Sequence, residues 1–263
     1  NHSSLPYNMD YFNKDNIINV NLYKPENYQR FLHVVASNKN IVAVSACSYL
    51  PSTGTQNGTL VYKAENLKDS LQINFLDVDS KFIDVLSLEL KAGKTFPDVL
   101  DTIGENYVGV NETFVKEFDY PSSAGVIGQR ISIEGNTVEV IGVVKDFQFL
   151  DLTKKIRPLV LRNRPAAFGF VSIKVRGKDL ASTISFLEAT WKKVNPNTKF
   201  EYQFYDEQLL FTHSMLSDVA KIFGALSLLA VLISCLGLLG MATYTAETRA
   251  KEISIRKIVG SSV

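Results

Sequence analysis

Metal binding, hydrolysis and nucleotide chemistry each require particular residue types at particular spacings, and this sequence supplies few of them. Its three histidines, His2, His33 and His213, are scattered and have no metal-ligand spacing. Asp77 and Asp79 could open a calcium loop, but the glycine and the distal glutamate of such a loop are missing. No serine sits in a Gly-x-Ser-x-Gly elbow, and no Walker-type phosphate loop occurs. Carboxylates are plentiful, yet nothing selects a pair for acid–base hydrolysis. The chain is therefore read as non-catalytic, with no catalytic, metal or cofactor residues of its own.

The residues with distinctive spacing suit docking instead. The C-terminal stretch T-A-E-T-R-A-K-E-I-S-I-R-K-I-V-G-S-S is helix-favourable from Arg249 to Val259 and places Ile255, Ile258 and Val259 together. Gly260 is a good helix terminator. A basic helix beside a membrane can simply lie on anionic lipid, but Glu247 and Glu252 argue for docking to a protein. Further upstream, Ser227, Ala230, Ser234 and Gly237 are spaced three, four and three apart and share one helical face. Small residues in that pattern let helix backbones approach closely in lipid. The face needs other helices, from a second copy or from further segments.

The element that positions both groups is Ile222–Thr243, twenty-two residues without a charge or a proline. At the helical rise it reaches about 33 Å, enough to cross a hydrocarbon core of about 30 Å. Arg249, Lys251, Arg256 and Lys257 follow it, whereas Asp218 and Lys221 precede it. The positive-inside rule puts the tail in the cytoplasm and residues 1–218 on the other side of the membrane. The net charge of +1 gives no reason to expect a nucleic-acid partner. Of two cysteines, Cys235 lies in the apolar stretch, so Cys47 has no partner for a disulfide within the outer domain.

The outer part alternates in character. Ile18, Val20 and Leu22 alternate with polar residues, and Ile41–Ala46 is a second strand. Pro25 suits the first turn of a helix between them. The arrangement returns at Val171–Val175, a stripe at Leu180, Ile184, Leu187, Trp191 and Val194, and alternation at Phe200, Tyr202 and Phe204. Two such units predict one four-stranded sheet with both helices on one face, the split βαβ or ferredoxin-like plan. The residues between read as an inserted, mostly β lobe. Strands are expected at Leu71–Val78 and Tyr107–Val110, and a helix capped by Asn111. A hairpin is expected with Ile131 and Ile133 facing Val138 and Val140 across Gly135-Asn136. From Asp206 no proline interrupts the chain. A helix running from there to Tyr244 would be about 58 Å long.

The tail R-A-K-E-I-S-I-R-K-I-V-G-S, Arg249 to Ser261, closely resembles the segment after the second transmembrane helix of MacB/FtsX-type ABC transporter permeases, with Ser254 and Ser261 in place of the usual glycine and alanine. V-D-S-K-F-I-D-V-L-S-L-E-L-K-A-G-K-T-F from Val78 resembles a stretch of the MacB-like periplasmic core domain, as do V-I-G-V-V-K-D-F-Q-F-L-D-L from Val140 and I-R-P-L-V-L from Ile156. The resemblance implies a permease that binds no cofactor itself, ATP being bound by a separate cytoplasmic ABC ATPase subunit. That ATPase pushes on a coupling helix, and long helices carry the motion to the periplasmic domain. By motif the ATPase-coupling residues are Lys251, Glu252, Ile255, Arg256, Lys257 and Gly260. Further permease helices or a second permease copy, membrane lipid, and a periplasmic or outer-membrane partner are the other implied contacts. The resemblance further implies a piece of a longer permease, in a bacterial inner membrane.

The expected architecture is α+β. A ferredoxin-like porter lobe (1–74 and 166–205) is split by a β-rich lobe (75–165). A stalk helix (206–221), a transmembrane helix (222–244) and a cytoplasmic coupling segment (245–263) follow. The competing readings are a single-span ligand sensor with a cytoplasmic signalling output and a membrane-anchored hydrolase.

Overall fold

The computed structural model describes residues 16–23, 28–97, 105–150, 154–177, 179–258 and 260. In chain order the elements begin with β1 (Ile17–Asn21), α1 (Tyr28–Ala36), β2 (Ile41–Cys47), β3 (Asn57–Lys63), β4 (Asn66–Asp77), α2 (Phe82–Leu86) and β5 (Leu90–Gly93). They continue with β6 (Tyr107–Asn111), α3 (Glu112–Glu117), β7 (Arg130–Ile133), β8 (Asn136–Val144) and β9 (Leu159–Arg162). The last are β10 (Phe170–Val175), α4 (Leu180–Val194), β11 (Tyr202–Phe204) and α5 (Tyr205–Ile258). The chain divides into two compact units, Asn1–Leu210 and Phe211–Val263. Pro25 lies outside the described residues.

Alternation decides the first lobe. The four strands expected to share a sheet do so, in the order β11-β1-β10-β2, with every neighbouring pair antiparallel. Ile18, Val20, Val44, Ala46, Val171 and Ile173 join one core with Phe31 and Val35 of α1 and Leu187 and Trp191 of α4. Both helices therefore cover the same face. Phe31 and Trp191 meet edge to face at 5.1 Å between ring centres, the arrangement that ring quadrupoles favour.

The inserted lobe is a seven-stranded sheet, order β5-β8-β6-β9-β4-β3-β7, in which β7 also returns to pair with β8. Six strands thereby close into a ring, and β5 extends the far half of β8. Closure leaves few free edges. Val61, Ile73, Val108, Val110, Ile131, Val138, Val140 and Val160 share its core with Phe114 and Val115 of α3. This sheet begins at Asn57 rather than near residue 75, because β3 and β4 both belong to it. Asn57-Gly58 reads as the end of a loop, and the polar Asn66–Ser70 hides the start of a twelve-residue strand.

Two local signals resolve in detail. Asn111 caps α3 as expected: its Oδ1 accepts from Phe114 N at 3.0 Å, and also from Leu159 N at 2.9 Å. The hairpin is shifted by one residue. Ile131 faces Val138, but Ile133 faces Asn136, because the left-handed pair is Glu134 and Gly135, at φ 51° and 83°.

Polar contacts bind the lobes. Asp79 accepts from Ser45 Oγ at 2.6 Å, Ala46 N at 2.7 Å and Lys81 N at 3.0 Å, tying the insertion to β2. Asp77 receives Arg164 through two bonds, Nε at 2.5 Å and Nη2 at 3.1 Å. The two carboxylates thus serve different partners. Buried Arg162 donates to Glu105 and Glu134, and Arg162 and Arg164 both lie over the Phe75 ring.

Two expectations follow. A Cβ built on Gly142 would lie 2.3 Å from Lys94 O, and one on Gly93, at φ +77°, 2.1 Å from Ile141 O. Urea unfolding should therefore show Gly142→Ala destabilised by about 1–3 kcal/mol, whereas Gly135→Ala, with nothing within 4 Å, should cost only the backbone penalty of roughly 1 kcal/mol. Burial pushes the Asp79 carboxyl up from 3.8 to about 6, against the pull of its hydrogen bonds to Ser45, Ala46 and Lys81. The folded form then holds an extra proton between those values, so Asp79's contribution to stability should fall as pH rises from about 4 to about 6. Asp79→Asn should remove that slope from the unfolding free energy; an unchanged slope would contradict the assignment.

Candidate functional site

Of the residues picked out for function, all but Gly260 lie on α5, a single helix of 54 residues. It has no internal proline, and its first turn carries Asp206 and Glu207 and its last turn Arg256 and Lys257, the charge order that the helix dipole favours. The expected coupling helix is not a separate element, since the tail continues the same helix to Ile258. Glu247 and Lys251, and Glu252 and Arg256, are spaced i,i+4 with the acid first, which supports continuation. Gly260 follows the helix at φ +75°, a left-handed position where a side chain would be strained.

The root of α5 belongs to the first unit. Tyr205 is 1% exposed and Leu209 3%, in one core with Tyr49, Leu50, Phe147, Phe149 and Leu150. The Tyr205 hydroxyl donates to Pro51 O at 2.7 Å. Burial holds that phenol well above its ordinary range, so it stays protonated as a donor. Next in the chain, Ser52 is buried at φ +62°. Its N–H donates to Phe149 O at 2.8 Å and its hydroxyl to Gln148 O at 2.6 Å.

The second part of the helix is apolar and is not covered by the rest of the chain. The stretch from Lys221 is long and apolar enough to cross a membrane, with mean hydropathy 2.6 in its most apolar window and no burial within this chain. Ser227, Ala230, Ser234 and Gly237 are all exposed on it. Ser227 Oγ donates to Phe223 O at 2.8 Å and Ser234 Oγ to Ala230 O at 2.9 Å, so neither hydroxyl needs water. Nothing lies within 4 Å of a Cβ built on Gly237. Packing within this chain therefore does not demand a glycine there, which leaves room for a second helix.

In the tail, helical spacing brings Lys251 and Ile255 to one face, with Glu252 and Arg256 beside them, while Lys257 falls on the opposite side. All five are exposed, Ile255 at 62%, and Ile258 beside it at 86%. Val259 and Ser261 lie outside the described residues. The helix root escapes a reading of the sequence alone. Its only signal there is the apolar pair Tyr205 and Leu209, four apart, where strand alternation gives way to helix.

The MacB-like periplasmic core domain family matches residues 6–183. The chain is 26% identical over 195 residues to an uncharacterized ABC transporter permease, YknZ of Bacillus subtilis (strain 168), covering 70% of this chain and 48% of that protein. It thus spans about half the length of that relative. The crystal structure of the periplasmic region of MacB from Actinobacillus actinomycetemcomitans aligns with a TM-score of 0.52 at 14% identity, covering 82% of this chain and 97% of that one. The extracellular domain of the noncanonic ABC-type transporter YknZ from Gram-positive bacteria aligns at 0.48 and 18% identity, over 72% and 98%. The MacB alignment agrees with the α+β fold. With a family match over well above half of its length, the chain belongs to the MacB-like periplasmic core domain family of ABC transporter permeases.

Proposed function

We propose that this chain is a non-catalytic permease subunit of a MacB/FtsX-like ABC transporter. In this reading α5 transmits ATPase-driven motion across the inner membrane to the periplasmic lobes, for efflux or for handling an envelope substrate. The observation that carries it is the continuity of α5. One helix contains a buried root, an apolar stretch of membrane length and an exposed charged tail. An unbroken helix is stiff along its axis, so displacement at one end reaches the other. The strand order β11-β1-β10-β2 supports a ferredoxin-like porter lobe, and the closed β lobe is the inserted domain. Family membership favours the permease over the single-span sensor.

The cytoplasmic ATPase would dock on Lys251, Glu252, Ile255 and Arg256, with Lys257 on the far side and Gly260 ending the helix. Exposed Ile255 and Ile258 offer the apolar contact. Ser227, Ala230, Ser234 and Gly237 would face further permease helices or a second permease copy. Residues 1–218 would be periplasmic, free to meet a periplasmic or outer-membrane partner, and the tail cytoplasmic.

Co-purification of an ABC ATPase with tail variants of the full-length permease tests the docking. Ile255→Asp places an unpaired carboxylate in the contact and should abolish recovery. Arg256→Lys keeps the charge but loses the planar fork that pairs bidentately with a carboxylate, so recovery should fall several-fold. A helix that merely lies on anionic lipid responds to net charge and would leave Arg256→Lys unchanged. Full recovery with both substitutions would remove the coupling assignment.

A further inference from the structure

Three segments far apart in sequence meet at the root of α5: Pro51–Ser52, Gln148–Phe149 and Tyr205. They are linked in series. The Tyr205 hydroxyl donates to Pro51 O at 2.7 Å, and the next residue, Ser52, donates through its N–H to Phe149 O and through its hydroxyl to Gln148 O. The far end of the series is the strap that leaves β8. Within that strap Asp146 accepts from Thr113 N and Oγ1 at 2.9 and 2.7 Å, while its own N–H donates to Glu112 at 3.1 Å. The strap is therefore fastened to the first turn of α3, in the closed β lobe.

Two features show that this joint is held by its surroundings. Ser52 is not a glycine, yet it sits buried in the left-handed region, a conformation that persists where neighbouring structure over-determines it. Tyr205 is among the largest fully buried side chains of the protein. Apolar packing alone would accept phenylalanine at 205. The hydroxyl is what reaches the Pro51 carbonyl.

We propose that Tyr205 and Ser52 are positioning residues of a latch that fastens the first turn of α5 to the Gln148–Phe149 strap, so that a displacement of α5 is delivered to the closed β lobe through Pro51–Ser52. The latch gives a role to the K-D-F-Q-F segment that nothing in the tail or the membrane stretch accounts for. It rests on α5 being the transmitting element.

Hydrogen exchange on the full chain in lipid nanodiscs tests it. Tyr205→Phe keeps the ring and removes only the hydroxyl. If the latch works in series, loss of the bond to Pro51 loosens the next bond along, Ser52 N–H to Phe149 O. The Ser52 amide should then exchange about tenfold faster. The Leu22, Lys94 and Val140 amides, bonded to Gly169, Ile141 and Gln129, should be unchanged. Ser52→Ala should loosen the same strap, measured at Gln148–Leu150, and the double variant should loosen it no further than the stronger single one, since the two act on one chain of bonds. Unchanged exchange at Ser52, equal acceleration at all four amides, or additive effects of the two substitutions would each overturn the latch. The measurement needs no ATPase. Failure of the tail variants to alter ATPase recovery would remove the permease reading without moving the Ser52 amide.

Discussion

Hydrocarbon offers no water to a peptide group, so a chain that crosses it does so with every backbone hydrogen bond made internally. α5 meets this condition along its whole apolar stretch, and Ser227, Ser234 and Thr243 return their hydroxyls to carbonyls three or four residues back. Because α5 neither kinks at a proline nor stops at the end of the apolar stretch, the charged tail is held in helical register with that stretch. Because its first turn is buried, the other end is part of a packed domain.

The first unit holds that first turn in its core. The β lobe leaves few edges, through the return of β7 to β8, and the first lobe is pinned to it where Ser45 and Ala46 of β2 donate to Asp79. The close pairing of β5 with β8 explains the glycines in L-K-A-G-K and V-I-G-V-V: at Gly93 and Gly142 the facing backbone occupies the space of a side chain. Buried Arg162 has bidentate Glu105 on one side and Glu134 on the other. Removing one partner of such a group leaves a buried charge exposed to the full desolvation cost, so the network is expensive to break even where its net contribution is small.

Much of this was legible in the sequence. Period-two alternation at Ile18–Leu22 and Val171–Val175, and the stripe from Leu180 to Val194, located both halves of the split sheet, since each element buries one face. The candidate site was legible as a set of residues on one helix, by spacing and by charge. What was not legible is what depends on contacts between distant segments. The polar start of β4 gives no periodic signal, so the sequence alone places the start of the insertion near residue 75 rather than at Asn57. The one-residue shift of the hairpin depends on Glu134 adopting a left-handed conformation that its residue type disfavours. The tail looked like its own element because charge changes abruptly there, whereas helix propensity does not. Tyr205 carries no mark in the sequence of the bond it makes to Pro51.

The proposed function requires the two ends of α5 to lie on opposite sides of the inner membrane. Cysteine accessibility in intact cells reads it directly. The background is low, because Cys47 is buried, with its thiol pushed up chiefly by that burial, and Cys235 lies in the apolar stretch. Leu60 and Ser254 are exposed, so a cysteine at either is open to a reagent on its own side. A membrane-impermeant maleimide that passes only the outer membrane should label Leu60→Cys at once, and Ser254→Cys only after the inner membrane is opened. Labelling of both from the outside, or of neither until the inner membrane is opened, would contradict it.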